Sequence, residues 1–168
     1  MSAFLLLKGE GYVMIVDLFF QTLHEFELPL IQAFQQIRSP LVDHIFLALN
    51  TFDGDSIYVA LTIILLNFKG KKIGLHLFYF LVSGHLLSII LKALFIQPRP
   101  YDLIPSLEIL GTHGYGFPSG AATGACIAFG YLFMIVKPTQ YFLRIGTLMM
   151  IVLVGVTRVY LGAHFPSD

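Results

Sequence analysis

IGLHLFYFLVSGHLLSIIL, residues Ile73–Leu91, runs nineteen residues without a charged side chain. A run of about 20 mostly apolar residues is what one helix needs to cross the hydrocarbon core of a bilayer. The rest of the chain agrees. Its 168 residues are 57% hydrophobic and only 12% charged, with a mean hydropathy of +0.80; a soluble domain has roughly 45–50% apolar and about 25% charged residues. The fold class expected is therefore all-α, a polytopic membrane helix bundle.

Working outward from that helix, the polar stretch 69–72 precedes it, and Leu41–Phe68 supplies an earlier apolar run broken by Asp53 and Asp55. Carboxylates at membrane depth are expensive, so both are expected to face the bundle interior or a wet cleft. Downstream, residues 114–136 and 141–156 read as two more spans separated by Lys137 and Pro138. The small residues between Gly120 and Gly130 suit close helix approach. Between the second and third spans, residues 98–117 form a loop rich in Pro, Gly and Tyr, long enough to be a lid or specificity element. His76 and His85 lie inside the Ile73–Leu91 run and read as packing residues, with His85 on about the face that carries Lys92.

The N-terminal 40 residues have a different character. Tyr12, Val16, Phe19, Phe20, Leu23 and Phe26 recur at helical spacing while Asp17, Gln21, His24 and Glu25 fall elsewhere, and Leu30, Ile31, Phe34 and Ile37 repeat the pattern after Pro29. Two amphipathic interfacial helices are expected over residues 1–40, ahead of a membrane-embedded core over 41–168. Phe4–Leu7 is too short an apolar burst for a signal-peptide core, so no cleaved signal is indicated. Ten basic and ten acidic residues cancel, which leaves no global field for nucleic acid. Cys126 is the single cysteine and excludes an intramolecular disulfide.

Chemistry concentrates in three stretches. TRVYLGAHFPSD (Thr157–Asp168) places Arg158, His164 and Asp168 at the end of an apolar run. The i, i+4 spacing lets Asp168 hold one imidazole nitrogen of His164 and leave the other free to attack. KALFIQPRP (Lys92–Pro100) closes one apolar run with two cations, and GFPSGA (Gly116–Ala121) opens the next. Lys92, Arg99 and Arg158 supply the positive charge that a phosphoryl group needs, with arginine suited to bidentate contact. Ser119 and the Gly120 amide add donors at a helix N-terminus. If the spans alternate, all of these fall on one side of the membrane and Lys69, Lys71, Lys72, Lys137 and Arg144 on the other. The positive-inside tendency makes the latter side cytoplasmic.

The order K-x6-R-P, then P-S-G, then R-x5-H-x3-D resembles the signature of the phosphatidic acid phosphatase type 2 family over roughly residues 42–168. The resemblance implies an integral-membrane lipid phosphatase with no cofactor and no metal. It implies a lipid phosphate or diphosphate substrate, and a site facing the periplasm or exterior from a bacterial inner membrane. It further implies that His164 attacks phosphorus to form a phosphohistidine and that Asp168 orients it. The family's P-S-G-H reads P-S-G-A here, so Ala121 stands where the resemblance places a general-acid histidine, and Thr157 stands where serine is usual. An inactive or impaired phosphatase is the expectation, with a catalytically silent phospholipid-binding membrane protein as the alternative. Family members continue past Asp168 into further membrane helix, so a C-terminal truncation is also expected.

Overall fold

In the computed structural model the backbone is described for residues 2–168 and side-chain surroundings from Ile15 onward, apart from Asp53 and Asp55. Among the described residues the regular structure is helical and no strand occurs. Helix α1 spans Ser2–Phe34, α2 Pro40–Leu49, α3 Asp55–Phe68, α4 Lys71–Phe95, α5 Pro100–Leu103, α6 Gly120–Ile135 and α7 Tyr141–Tyr160.

Local chemistry sets several of these boundaries. Ser39 caps α2 by accepting a hydrogen bond from the Val42 amide at 3.3 Å, with Pro40 in the first turn where its missing N–H costs nothing. Helix α4 ends at Ile96, which adopts the left-handed conformation (φ 50°) and returns its amide to the Lys92 carbonyl. A β-branched residue rarely adopts that conformation, and here it turns the chain so that Arg99 folds back beside the helix it has just left. Helix α6 starts at Gly120 and not near Gly114, because Ser119 caps it by accepting from the Ala122 amide.

Helices stand at all four expected spans, but by length and composition only two of them among the described residues, or three counting a bent pair, can cross a membrane. Helix α4 with its continuation to Leu103, and α7, are each long and apolar enough to cross a membrane. The expected first span is α2 and α3 bent by 41° across a short 3-10 turn at Asn50–Asp53. The expectation for the Asp53 and Asp55 side chains lies outside the described residues. Helix α6 has 16 residues, or about 24 Å at 1.5 Å per residue, short of a hydrocarbon core of about 30 Å.

Helices α3, α4, α6 and α7 pack as a bundle around Tyr58, Ala125, Ala128, Phe129 and Val154. Gly124 lets the Tyr58 ring lie directly on the α6 backbone, where a Cβ would come within 2.6 Å of it. The small-residue face expected on α6 is thus in use at this crossing. The Tyr131 hydroxyl donates to the Ile73 carbonyl at 3.0 Å, tying the end of α6 to the start of α4. Lys92, Arg99, Ser119 and His164 gather at the opposite end.

The N-terminal segment departs from expectation in two ways. Helix α1 is continuous through Pro29, which lies inside it. The proline removes one backbone hydrogen bond, and because the ring lies on the exposed face the helix carries on. The buried stripe is also not the apolar one. Phe20, His24, Glu27, Ile31 and Gln35 are buried, whereas Phe19, Phe26 and Leu30 are exposed. His24, Glu27 and Gln35 thus face the bundle together with Phe20 and Ile31, while Phe19, Phe26 and Leu30 face outward.

Candidate active site

The segment after α7 turns back under a cover formed by residues 105–109. Gly162 (φ 68°) makes this possible, since a Cβ there would stand 2.0 Å from the Leu107 carbonyl oxygen. The Ile109 amide donates to the Leu161 carbonyl at 3.3 Å and the Ala163 amide to the Arg158 carbonyl at 3.1 Å. These bonds hold His164 in place at 3% exposure.

His164 Nδ1 lies 3.0 Å from Asp168 Oδ2, and the same oxygen accepts from the Phe165 amide at 2.9 Å. On the other side of the ring, Nε2 is 3.3 Å from Arg99 Nη1. A guanidinium can only donate, so Nε2 is the acceptor and the imidazole proton sits on Nδ1, directed at the carboxylate. Burial pushes the His164 pKa down to about 4, against the raising effect of Asp168. The ring is therefore neutral near pH 7, with its lone pair at Nε2.

Arg99 is buried and heavily bonded. Its guanidinium donates to the carbonyls of Gly114 (2.6 Å), Ala163 (2.9 Å) and His113 (3.2 Å) and to Thr112 Oγ1 (3.0 Å). Its amide donates to Asp102 Oδ2 at 2.8 Å, which closes a capping box on α5. Lys92 Nζ donates to the Tyr115 and Gly116 carbonyls at 2.7 and 3.0 Å, and Arg99, Arg158 and Asp168 all lie within its electrostatic reach. The loop expected as a lid is thus stapled by two of the three cations, and Tyr101 adds a bond from its hydroxyl to the Thr112 carbonyl.

Arg158 is 8% exposed and donates through Nη1 to Asn50 Oδ1 at 2.7 Å. It borders two spaces. One is a cavity of about 370 Å³ that Ser119, His164 and Asp168 also line; the other is a largely apolar cleft of about 730 Å³ between α3, α4 and α6, where Gly120, Ala121 and His85 sit. Ser119 Oγ accepts from the Ala122 amide at 3.3 Å, so it caps α6 as well as facing the cavity. Its own amide donates to the Asp168 backbone carbonyl at 2.9 Å. Ala121 is half-buried against the bundle core, with its carbonyl 3.4 Å from the Tyr58 hydroxyl.

The sequence-predicted residues Lys92, Arg99, Ser119, Arg158, His164 and Asp168 are accordingly brought to one end of the bundle. Other contributors carried no sequence signal. Asn50 pairs with Arg158 from the bend between α2 and α3. Glu27 accepts from Ser167 at 2.9 Å, and His24 stacks on Phe165 at 3.8 Å with the rings 10° apart. Burial raises the Glu27 pKa and lowers that of His24. Among the described residues, no group of three His, Cys, Asp or Glu side chains is arranged to hold a metal ion.

The site thus sets an aspartate-supported histidine and three clustered cations at one end of an all-helical bundle. Residues 73–168 match the PAP2 superfamily, and the chain belongs to that superfamily. It is 30% identical over 140 aligned positions to a lipid A 1-phosphatase of Rhizobium johnstonii, covering 68% of this chain and 56% of that protein. To an undecaprenyl-diphosphatase of Sulfolobus acidocaldarius it is 28% identical over 123 positions, covering 71% and 58%. The chain thus spans a little over half the length of these curated relatives. The crystal structure of Aquifex aeolicus LpxE superimposes with a TM-score of 0.76 at 28% identity, covering 85% of each chain. A PAP2-type phosphatidylglycerolphosphate phosphatase from Bacillus subtilis shares the fold, with a TM-score of 0.74 at 24% identity over 93% of this chain and 86% of that one.

Proposed function

We propose that this chain hydrolyses a membrane lipid phosphate or diphosphate through a phosphohistidine on His164. The observation that carries the reading is the His164 ring, held through Nδ1 by Asp168 and presenting a neutral Nε2 beside Arg99. In the reaction Nε2 attacks phosphorus and the bond from phosphorus to the leaving oxygen breaks. Asp168 stabilises the imidazolium that forms. The charge on the equatorial oxygens is met by Arg158, by the N–H groups that Arg99 and Lys92 have left beyond their carbonyl bonds, and by the start of α6 at Ser119 and Gly120. Water then attacks phosphorus, the P–N bond breaks, and inorganic phosphate leaves.

Ala121 gives no proton to the leaving oxygen. An alkoxide must then take its proton from water, and loss of a positioned acid typically costs on the order of 10²–10⁴ in rate. The chain is therefore impaired on lipid monophosphates while still able to hold them. The same alanine supports a second reading, a phospholipid-binding protein that has lost catalysis. The site is proposed to face the exterior of a cytoplasmic membrane, with the lipid tail remaining in the bilayer.

Phosphate release from detergent-solubilised phosphatidic acid and from a polyprenyl diphosphate, together with acid quenching to trap labelled phosphoenzyme, tests the proposal. Turnover and an acid-labile label, both lost in His164→Ala, are expected. Binding of both lipids without label or phosphate release would favour the silent binder.

A further inference from the structure

Helix α1 buries the wrong residues for a helix that only packs. His24 and Glu27 are 3% and 5% exposed while Phe26, beside them, is 70% exposed. Burying an imidazole and a carboxylate costs several kcal/mol unless their partners compensate, and an apolar pair would serve packing alone as well or better. The partners are telling. Glu27 meets Ser167, the residue before Asp168, and His24 stacks on Phe165, the residue after His164. Gln35 on the same stripe donates to the Leu107 and Tyr160 carbonyls at 3.0 and 2.7 Å, on either side of the Gly162 crossing. The contacts of His24, Glu27 and Gln35 therefore land on the segment bearing the nucleophile, on its cover and on the last residue of α7.

We infer that Glu27 and His24 are positioning residues, through which α1 holds the segment 164–168 so that the Asp168 carboxylate stays on His164 Nδ1. The inference rests on the reading of His164 as the nucleophile. Backbone bonds secure the segment on its other sides, from Arg99 to the Ala163 carbonyl and from the Ser119 amide to the Asp168 carbonyl. Those bonds leave free the side-chain rotations that aim a carboxylate at an imidazole. The bond from the Ser167 hydroxyl to Glu27 Oε2 fixes the residue before Asp168. The parallel stack of His24 on Phe165 blocks rotation of the residue whose amide shares Asp168 Oδ2 with the imidazole. Both positions precede residue 73, where the match to the superfamily begins, so the nucleophile depends on a part of the chain outside the stretch that defines the family.

The test uses the full chain in lipid nanodiscs with Glu27→Ala, Glu27→Gln, His24→Ala and His24→Phe. Glutamine keeps an acceptor for Ser167 and phenylalanine keeps a ring for Phe165. Phosphoenzyme formation from a polyprenyl diphosphate, whose leaving group needs no proton, is followed by rapid quench, giving a rate per site and, separately, an amplitude that counts competent sites. Glu27→Ala, which loses the bond from Ser167, is expected to slow the rate roughly tenfold, and His24→Ala, which loses the stack on Phe165, about three- to tenfold, with amplitude and KM little changed. The conservative variants should recover to within about threefold of the parent. Amplitude lost at an unchanged rate per site would overturn the inference and leave α1 as a fold anchor, as would equal damage from Glu27→Ala and Glu27→Gln. Labelled-histidine NMR separates this from failure of the phosphatase reading. If the parent forms no phosphoenzyme, that reading fails, yet the downfield Nδ1 proton of His164 must still be present in the parent and lost in Glu27→Ala. Identical spectra in the two proteins would refute positioning.

Discussion

Replacing Ala121 by histidine should restore a proton donor, and the size of the gain should depend on what leaves. Position 121 is half-buried on the wall of the cleft of about 730 Å³ that Arg158 also borders. Arg158 also borders the cavity that His164 lines, so the two spaces share that side chain. A general acid contributes typically 10²–10⁴-fold, or about 2.7–5.5 kcal/mol of barrier. That full amount is expected for phosphatidic acid, whose leaving group is a poor alkoxide. A polyprenyl diphosphate expels a lipid phosphate with a second pKa of about 6, which departs without a proton, so its gain should be less than about tenfold. The assay is kcat for both substrates, and for an aryl phosphate, in the Ala121 and Ala121→His proteins at equal phosphate-binding affinity. Equal gains for all three would refute the acid role and mean that residue 121 orders the site. Loss of binding would mean that the histidine obstructs the cleft.

Four further outcomes are expected. Because burial lowers the His164 pKa to about 4, the nucleophile stays neutral well below its ordinary value; the acid limb of kcat/KM due to this group should lie near pH 4, and a limb near 6.5 would refute the burial argument. The same shift means that the unfolded chain binds a proton before the folded one, so this group's contribution to stability falls as the pH drops from about 6.5 to about 4, measurable as a decline of Tm in detergent that is smaller in His164→Gln. Arg99→Lys, which cannot satisfy the four oxygens now held by the guanidinium, should destabilise the fold by roughly 2–4 kcal/mol in thermal denaturation; an unchanged Tm would show that the loop 98–117 does not depend on Arg99. A cysteine placed beside Pro105 should react with an impermeant thiol reagent from outside the cell and one beside Gly70 should not, and the reverse pattern would invert the orientation.

The parts of this site that can be read from the sequence are those where charge sits against an apolar background. Arg158, His164 and Asp168 stand out because no other Arg, Lys, His, Asp or Glu lies near the end of α7, and the i, i+4 spacing of His164 and Asp168 is realised as a 3.0 Å contact. What Arg99 does could not be read in this way. Cation count suggests a phosphate ligand, whereas much of its hydrogen bonding is spent on backbone carbonyls of a loop whose path no local pattern encodes. Helix α1 misled for a physical reason. Periodicity finds the apolar stripe and assumes that it faces inward, but next to a membrane the outward face is also apolar, and the polar residues turn toward a buried polar partner. Pro29 misled similarly, since its local cost is fixed but the contacts on either side of it, at Glu27 and Ile31, are long-range. The length of α6 was overestimated because apolar loop residues before Ser119 look the same as helix on a hydropathy scale.

The inverted stripe on α1 also has a consequence for the order of assembly during synthesis. Glu27 and Ser167 are 140 positions apart, and Gln35 and Tyr160 are 125. Helix α1 therefore waits for the end of α7 and the segment after it before its polar groups find their partners. Until then, His24, Glu27 and Gln35 need water while Phe19 and Phe26 need lipid, a pair of demands met only at the membrane surface. Helix α1 is thereby kept at the interface through the insertion of α4 and α7, and it closes over the nucleophile last. The site is therefore complete only once the segment after α7 has been made and α1 has closed on it.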